Sequence, residues 1–393
     1  MIRHLFKLIW NQKKSNFLLI TEIFFSFLVL FAVLSFGIYN YHNYTKPLGF
    51  TYDNVWQLWL NPQTDSTAHN LAVQRELIQR VKSFPEVEHA SLSNSNTPFA
   101  FSQMNNNLSY GGKKDIQANV FNVQADYQKV LGLEVSQGRW FGPQDKASLH
   151  KPIVINQKLK EELFGDEEAI GKLLPINDSS QYAVIGVIDH YRSYSEFDPE
   201  EAAYFECINL DEEKSYFWNG LVMKVKPGAG VAFEEKMVRE LSRIAKDWTI
   251  EVTTLEKMRQ SKAKMTTVPM VALGLVCGFL VFNVALGLFG VLWYNINRRY
   301  AEIGLRRAIG ASSKQIRNQF VGEVLVIATF GLLLGLLLAV QFPLLQVFQL
   351  SSAIYWESIA AAAFLIFLLA TICAIYPSYQ ASKIYPAVAL HEE

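Results

Sequence analysis

Apolar residues in this chain gather in four long blocks, at 17–39, 266–294, 321–347 and 354–377. At 1.5 Å per residue, each is long enough to cross a hydrocarbon layer of about 30 Å. Between the first and second blocks the pattern changes. Residues 54–60 alternate with period two, as a half-buried strand does. Residues 65–84 carry Leu71, Val73, Leu77 and Val81 at helical spacing. The Ser-, Asn- and Gly-rich stretch 91–112 predicts loops or short edge strands. A strand-like 121–124 leads into a helix over 125–131 that ends at a glycine. Further strands are expected at 152–156, 182–188 and 221–225, with helices at 157–164 and 232–245. Residues 251–266 read as helix running without a break into the second block. Strands and helices in this order predict one or two small α+β subdomains.

Charge orients the blocks. Arg3, Lys7, Lys13 and Lys14 precede the first and place the N-terminus in the cytoplasm by the positive-inside rule. A secretory signal would share the basic start, but the apolar run is too long and Tyr-Asn-Tyr-His at 39–42 offers no small-residue cleavage site. The fold class is therefore four transmembrane α-helices with a large α+β extracytoplasmic domain, 40–265, between helices 1 and 2. The loop 295–320 returns to the cytoplasm, 348–353 is a short outer loop, and 378–393 forms a cytoplasmic tail. Residues 1–16 predict an amphipathic helix on the inner surface, with Ile2, Leu5, Phe6, Ile9 and Trp10 on its apolar side.

The loop 295–319 holds six basic residues, Arg298, Arg299, Arg306, Arg307, Lys314 and Arg317, against the single acid Glu302. Ile303, Leu305, Ala308 and Ile309 can share one helix face with the arginines opposite. Gly310, Ala311 and Ser312 follow where a C-cap and a new N-cap belong. Two readings fit: a solvated loop obeying the positive-inside rule, or a surface helix that docks into a soluble partner.

Within the spans, Gly274 with Gly278 and Gly331 with Gly335 make two G-x-x-x-G pairs. Such faces let helix backbones approach closely, although glycine is also simply commoner in membrane helices. Glu22 and Glu323 are acids at membrane depth, which is costly and points to function by default. Both stand one or two turns from an expected cytoplasmic end, where water or a basic neighbour is within reach.

Half the residues are hydrophobic and the formal charge is zero, which argues against a nucleic-acid partner. Of the three cysteines, Cys277 and Cys373 fall in membrane helices, so Cys207 has no partner with which to staple the outer domain. The chain has no G-x-x-x-x-G-K-[ST] loop, no H-E-x-x-H and no G-x-S-x-G elbow, and its seven histidines are scattered. Asp189-His190 reads as an isolated turn. The sequence offers neither catalytic residues nor a metal site.

The stretch 299–313, RYAEIGLRRAIGASS, followed by Gln315 and Ile316, resembles the signature of the MacB/FtsX-type ABC transporter permeases. Ala125-Asp-Tyr127, Leu131-Gly-Leu133, Gly138-Arg139, Pro152-Ile-Val-Ile-Asn156, Leu163-Phe-Gly165, Ile170-Gly-Lys172 and Val184-Ile-Gly-Val187 resemble the MacB periplasmic core domain. Tyr376-Pro-Ser-Tyr-Gln-Ala-Ser382 and Pro386-Ala-Val-Ala-Leu390 resemble the family's ending. The resemblance implies a dimeric permease, with a second copy or a homologous chain, in the bacterial cytoplasmic membrane. ATP and Mg would be held by a separate ABC ATPase, with no cofactor in this chain. A coupling helix would contact that ATPase through Arg298, Arg299, Glu302, Ile303, Gly304, Arg306, Arg307, Ala308, Gly310 and Ala311. ATP-driven motion would change the outer domain's shape by mechanotransmission. That motion would export antibiotics, peptides or lipoproteins, in MacB-like members with a periplasmic adaptor and an outer-membrane channel. The alternative is an FtsX-like regulator of a cell-wall hydrolase or of a signal.

Overall fold

A computed structural model describes residues 13–63, 66–112, 115–177, 180–210 and 217–385. The helix expected over 1–16 lies almost wholly outside them, as does the tail from 386. The helices are α1 (Lys13–Tyr44), α2 (Thr67–Lys82), α3 (Tyr127–Leu131), α4 (Gln157–Phe164), α5 (Val231–Ile244), α6 (Leu255–Arg298), α7 (Tyr300–Ala308), α8 (Ser313–Ala339), α9 (Gln341–Leu345) and α10 (Ser352–Ser382). The strands are β1 (Val55–Pro62), β2 (Val87–Ser93), β3 (Asn105–Leu108), β4 (Ile116–Val123), β5 (Val135–Gly138), β6 (Lys151–Asn156), β7 (Leu173–Asn177), β8 (Ser180–Ile188), β9 (Ala203–Cys207), β10 (Gly220–Val225) and β11 (Trp248–Thr254). The chain forms two compact units, one comprising Asn43–Thr266 and the other the segments before and after it.

All eleven strands of the inserted unit join one sheet, ordered β11-β1-β10-β2-β4-β9-β6-β8-β5, with β3 on β4 and β7 on β8. The β4–β9 and β6–β8 pairs are parallel and the rest antiparallel. At its middle the sheet is thin, since β2 meets β4 at the single pair Ser93–Val123. On one side of that waist Trp56, Leu58 and Leu60 alternate with residues of the opposite face and pack under α2 and α5 with Leu77, Met237 and Leu241. On the other side Ile153, Ile155, Tyr204 and Val184 are covered by Leu159 and Leu163 of α4. A third cluster, centred on Phe121, Tyr127, Tyr191 and Phe205, runs beneath the waist and reaches Val55, Val222 and Leu255.

Three local expectations change. The stretch read as loop or edge from 91 contains the end of β2, an interior strand between β10 and β4. Its Ser91 is buried because the hydroxyl donates to Leu92 O and accepts from Gln124 N. On α2 the buried side carries Asn70 and Gln74 beside Leu77 and Val81, while Leu71 and Val73 are only half-buried. Gln74 pays for its burial by bonding both backbone groups of Trp218. Finally, 251–254 belongs to β11, and the helix begins only at Leu255.

Among the described residues four helices are long and apolar enough to span a membrane: Phe17–Tyr44, Leu255–Arg298, Ser313–Leu345 and Ser352–Ser382. Their shared core includes Ile23, Phe27, Leu288, Ala328, Ala362 and Ala370, while Val271, Leu275, Phe279, Leu337, Phe364 and Ile372 point outward, as lipid-facing residues do. The two glycine pairs behave differently. A Cβ on Gly331 would stand 2.7 Å from Ile23 Cγ2, and one on Gly335 2.3 Å from Phe27 Cδ1, so this pair is the seat of α1 on α8. A Cβ on Gly274 or Gly278 would meet nothing within 4 Å in the chain. Among the described residues this second pair therefore packs against no other helix. Glu22 of α1 lies against Gly287, where a Cβ would come 2.7 Å from Oε2.

Gly335→Ala is expected to destabilise the membrane unit by roughly 1–3 kcal/mol, the usual cost of overpacking. Gly278→Ala should leave it unchanged. Thermal unfolding of the two variants in detergent decides this, and equal losses would contradict the seating of α1.

Candidate functional site

At Arg299 a φ of −106° and ψ of 20° interrupt the helix between α6 and α7. Nine residues later α7 ends as its composition demands. Gly310 takes φ +101°, a left-handed conformation that L side chains rarely adopt. Ser312 then caps α8, its Oγ accepting from Gln315 N at 3.3 Å while Gln315 Oε1 accepts from Ser312 N at 2.8 Å.

One side of α7 is held from two directions. Ile303 and Gly304 are buried, and Ile303 joins a small core of Ile296, Ile316, Phe320, Ala381 and Ile384. Polar contacts hold the rim. Arg299 donates from Nη1 to both oxygens of Glu323, each at 3.0 Å, and from Nε to Glu302 Oε2 at 2.9 Å, with its guanidinium over the Phe320 ring. Both side chains of the Arg299–Glu323 pair are nearly buried, at 11% and 14% exposure. Arg306 donates to Gln319 Oε1 at 2.6 Å and to Glu302 Oε1 at 2.5 Å, and Gln319 donates to Glu323 Oε1 at 3.1 Å. Arg307 reaches Ser313 Oγ at 2.6 Å, and that hydroxyl donates to Ser382 O at the end of α10. Glu323 thus has its basic neighbour.

The expected division of α7 into an apolar face and an arginine face is corrected. Leu305, Ala308 and Ile309 point outward, with Leu305 at 53% and Ile309 at 77% exposure, beside the exposed Gly310. Ile303 points the other way, and Arg306 and Arg307 are turned back onto the chain. The cause is local pairing: Arg306 bridges Glu302 and Gln319, and Arg307 reaches Ser313, so both cations lie along the chain's own polar groups at the edge of the apolar seat. Of the basic residues, Arg298, Lys314 and Arg317 remain exposed, and Ala311 packs against the small core.

The inserted unit has a cleft of its own, about 1520 Å³, walled by Lys82, Lys129 and Lys151 above Trp140 and Phe141. Its cations are paired: Lys82 with Asp126 at 2.6 Å, Lys129 with Asp126 at 3.6 Å, and Lys151 with the buried Glu206 at 2.6 Å. Glu206 also accepts from the Tyr182 hydroxyl at 2.6 Å; burial, with the carboxylate beside it, pushes that phenol up, so it stays protonated. Cys207, at the edge of the cleft, forms no disulfide among the described residues. His190, read from sequence as isolated, meets Glu200 at 2.9 Å. Among the described residues no cluster of His, Cys, Asp or Glu could hold a metal ion.

An α+β domain inserted after the first of four spanning helices, and a short seated helix between the second and third, define a multi-pass membrane protein with an extracytoplasmic domain. The model of the MacB-like periplasmic core domain matches residues 17–240, and that of the FtsX-like permease C-terminal region matches 269–386. The chain belongs to the MacB/FtsX-type family of ABC transporter permeases. It is 24% identical over 298 residues to the macrolide export ATP-binding/permease protein MacB 1/2 of Paracoccus denitrificans, covering 72% of this chain and 43% of that protein. It is 23% identical over 289 residues to the ABC transporter permease YknZ of Bacillus subtilis, covering 72% of each. The chain thus spans under half the length of MacB-type relatives. Among solved structures, the periplasmic region of MacB from Actinobacillus actinomycetemcomitans aligns at TM-score 0.39 and 15% identity, over 53% of this chain and 92% of that one.

Asp145, on the cleft wall, gives a pH test. The Arg139 fork at 2.6 and 2.7 Å lowers its pKa against the opposing effect of burial, helped by a 2.8 Å bond from Gly142 N. The carboxylate's contribution is present above its unfolded pKa of about 4 and is lost as pH falls through the lower folded value. Melting temperature of the full chain should therefore fall as pH drops below about 4, with a shallower fall in Asp145→Asn. Identical pH slopes would show that the pair contributes nothing.

Proposed function

We propose that this chain is the permease subunit of an ABC transporter, driven by a separate cytoplasmic ATPase and paired with a second copy of itself or a homologous permease. The observation that carries the reading is the outer edge of α7. Leu305, Ala308 and Ile309 form a short exposed apolar strip on a helix whose other side is fixed by the Ile303 core and the Arg299–Glu323 pair. A rigid helix with a free apolar edge suits a groove in a soluble partner. In this reading α7 and both termini face the cytoplasm, as the basic loop favours, and Asn43–Thr266 lies outside.

ATP and Mg belong to the ATPase in this scheme. Closure of its nucleotide sandwich would carry α7, and with it α6 and α8, which flank it directly in the chain. The outer domain would then change shape with no substrate passing through the bilayer. Only a difference in ATPase affinity for the two states can drive such a shift. The ABC transporter permease of Bacillus subtilis, matched over 72% of each chain, supports the permease reading. The macrolide export named for the Paracoccus relative supports export of antibiotics, peptides or lipoproteins, with a periplasmic adaptor and outer-membrane channel where an outer membrane exists. The FtsX-like match over 269–386 favours a second reading, in which the outer movement activates a cell-wall hydrolase or carries a signal.

Purification of the tagged chain in mild detergent, with identification of what accompanies it, tests the proposal. A P-loop ATPase should co-purify. Leu305→Glu with Ile309→Glu should weaken its binding at least about tenfold, or about 1.4 kcal/mol, without lowering the chain's own melting temperature. Arg306→Glu with Arg307→Glu should lower both, because those arginines also hold α7 in place. A chain that emerges alone under gentle conditions would sink the transporter reading, and a co-purifying hydrolase would select the second one.

A further inference from the structure

The first two spanning helices each run into the inserted unit without a break, α1 as far as Tyr44 and α6 from Leu255. One loop of that unit, residues 191–198 between β8 and β9, holds both. On the α1 side, Asn43 is buried and donates from Nδ2 to Phe197 O at 2.9 Å, and the Tyr44 ring stacks on Phe197 at 5.5 Å. Arg192, 3% exposed, donates from Nη1 to Lys46 O at 2.8 Å, and its backbone N donates to Leu48 O at 2.9 Å. Its Nη2 turns back to the carbonyls of Glu196 and Asp198, at 2.9 and 2.7 Å, and so fixes the loop's own curve. The chain after α1 then passes so close that a Cβ on Gly49 would lie 1.9 Å from His190 O. Glycine is the residue that fits there.

On the α6 side, Arg259 donates from Nη1 to Glu196 Oε2 at 2.7 Å while also paired with Glu256, and its guanidinium lies over Tyr52. One turn on, the buried Lys262 ammonium sits 3.4 Å from the centre of the Tyr194 ring and donates to Ala100 O at 3.2 Å. A buried cation held by a ring face and a carbonyl is strongly oriented. The loop itself is rooted in the core by Tyr191, whose hydroxyl meets that of Tyr127 at 2.9 Å, and by Ser193 O, which accepts from Phe99 N at 2.6 Å.

We propose that residues 191–198 are a clasp that binds the outer end of α1 and the first two turns of α6 into one body, with Arg192, Glu196 and Phe197 as positioning residues for force transmission. The inference rests on the reading of the chain as an ATP-driven permease. Without the clasp, each helix could shift against the outer domain separately, and movement begun at α7 would dissipate there. The Glu196–Arg259 pair is the part that can be broken and rebuilt. In Glu196→Lys two cations face each other. In Glu196→Lys with Arg259→Glu, opposite charges again face each other between the loop and α6, although the introduced carboxylate and Glu256 now repel along the helix.

The test is hydrogen–deuterium exchange on the full chain with its ATPase in lipid nanodiscs, with and without ATP and vanadate, alongside ATP turnover. The wild type should show nucleotide-dependent exchange in the outer domain. Glu196→Lys should keep its turnover but lose that response, and the double variant should regain it. A response in Glu196→Lys equal to the wild type's, or a loss that the double variant fails to restore, would overturn the clasp. A wild type that hydrolyses ATP with no outer response would overturn the functional reading, and the clasp with it.

Discussion

Inside hydrocarbon a backbone must satisfy its own hydrogen bonds, and the helix does this with no partner at all. Nothing obliges such a helix to stop at the water boundary if a folded domain takes over the burial of its side chains. α6 is built on that continuity: its 44 residues reach about 66 Å at 1.5 Å each, roughly twice the hydrocarbon thickness. Its first turns are fastened by Leu255, Arg259 and Lys262 to the sheet and loops of the inserted unit, and its last turns by Ile296 to the seat of α7. Pro269, inside the helix, has no N–H to give to the hydrogen-bond ladder.

The two ends of this helix solve the same problem with different chemistry. At α7, the Arg299 guanidinium takes Glu302 with two nitrogens and Glu323 with the third over a small aliphatic core, and Arg306 and Arg307 serve as further struts. At the outer loop, buried cations bond mainly to carbonyls and ring faces. Both arrangements use long side chains whose apolar stems are buried while the charged head is satisfied locally. In each case a basic residue that reads as a surface charge is a structural fixture.

Much of the architecture was legible in the sequence because it follows from local rules. The apolar blocks specify spanning helices, Gly310 and Ser312 specify where α7 ends and α8 begins, and 152–156 followed by 157–164 specifies a strand and a helix. The signals that failed were those in which a polar residue is buried by a distant partner. Gln74 faces the core because Trp218 supplies its hydrogen bonds, and β2 lies inside the sheet although its serines resemble loop chemistry. β9 was missed because five residues with one buried acid give little periodicity, and Glu206 is tolerated only beside Lys151 and Tyr182.

At the candidate site the sequence determined the helix, its caps and the identity of the ionic residues, since these depend on neighbours within a few positions. Which side of α7 would be buried was decided by the tertiary structure alone. Glu323 stands 24 residues from Arg299 and Ser382 stands 69 from Ser313. Those contacts fix Arg299 and Ser313, while Arg306 and Arg307 turn onto Gln319 and Ser313 and Leu305 and Ile309 stay in the open. The same holds for the two glycine pairs, equal in sequence, of which only Gly331 and Gly335 meet another helix among the described residues. A spacing fixes a face, but only packing decides what that face meets.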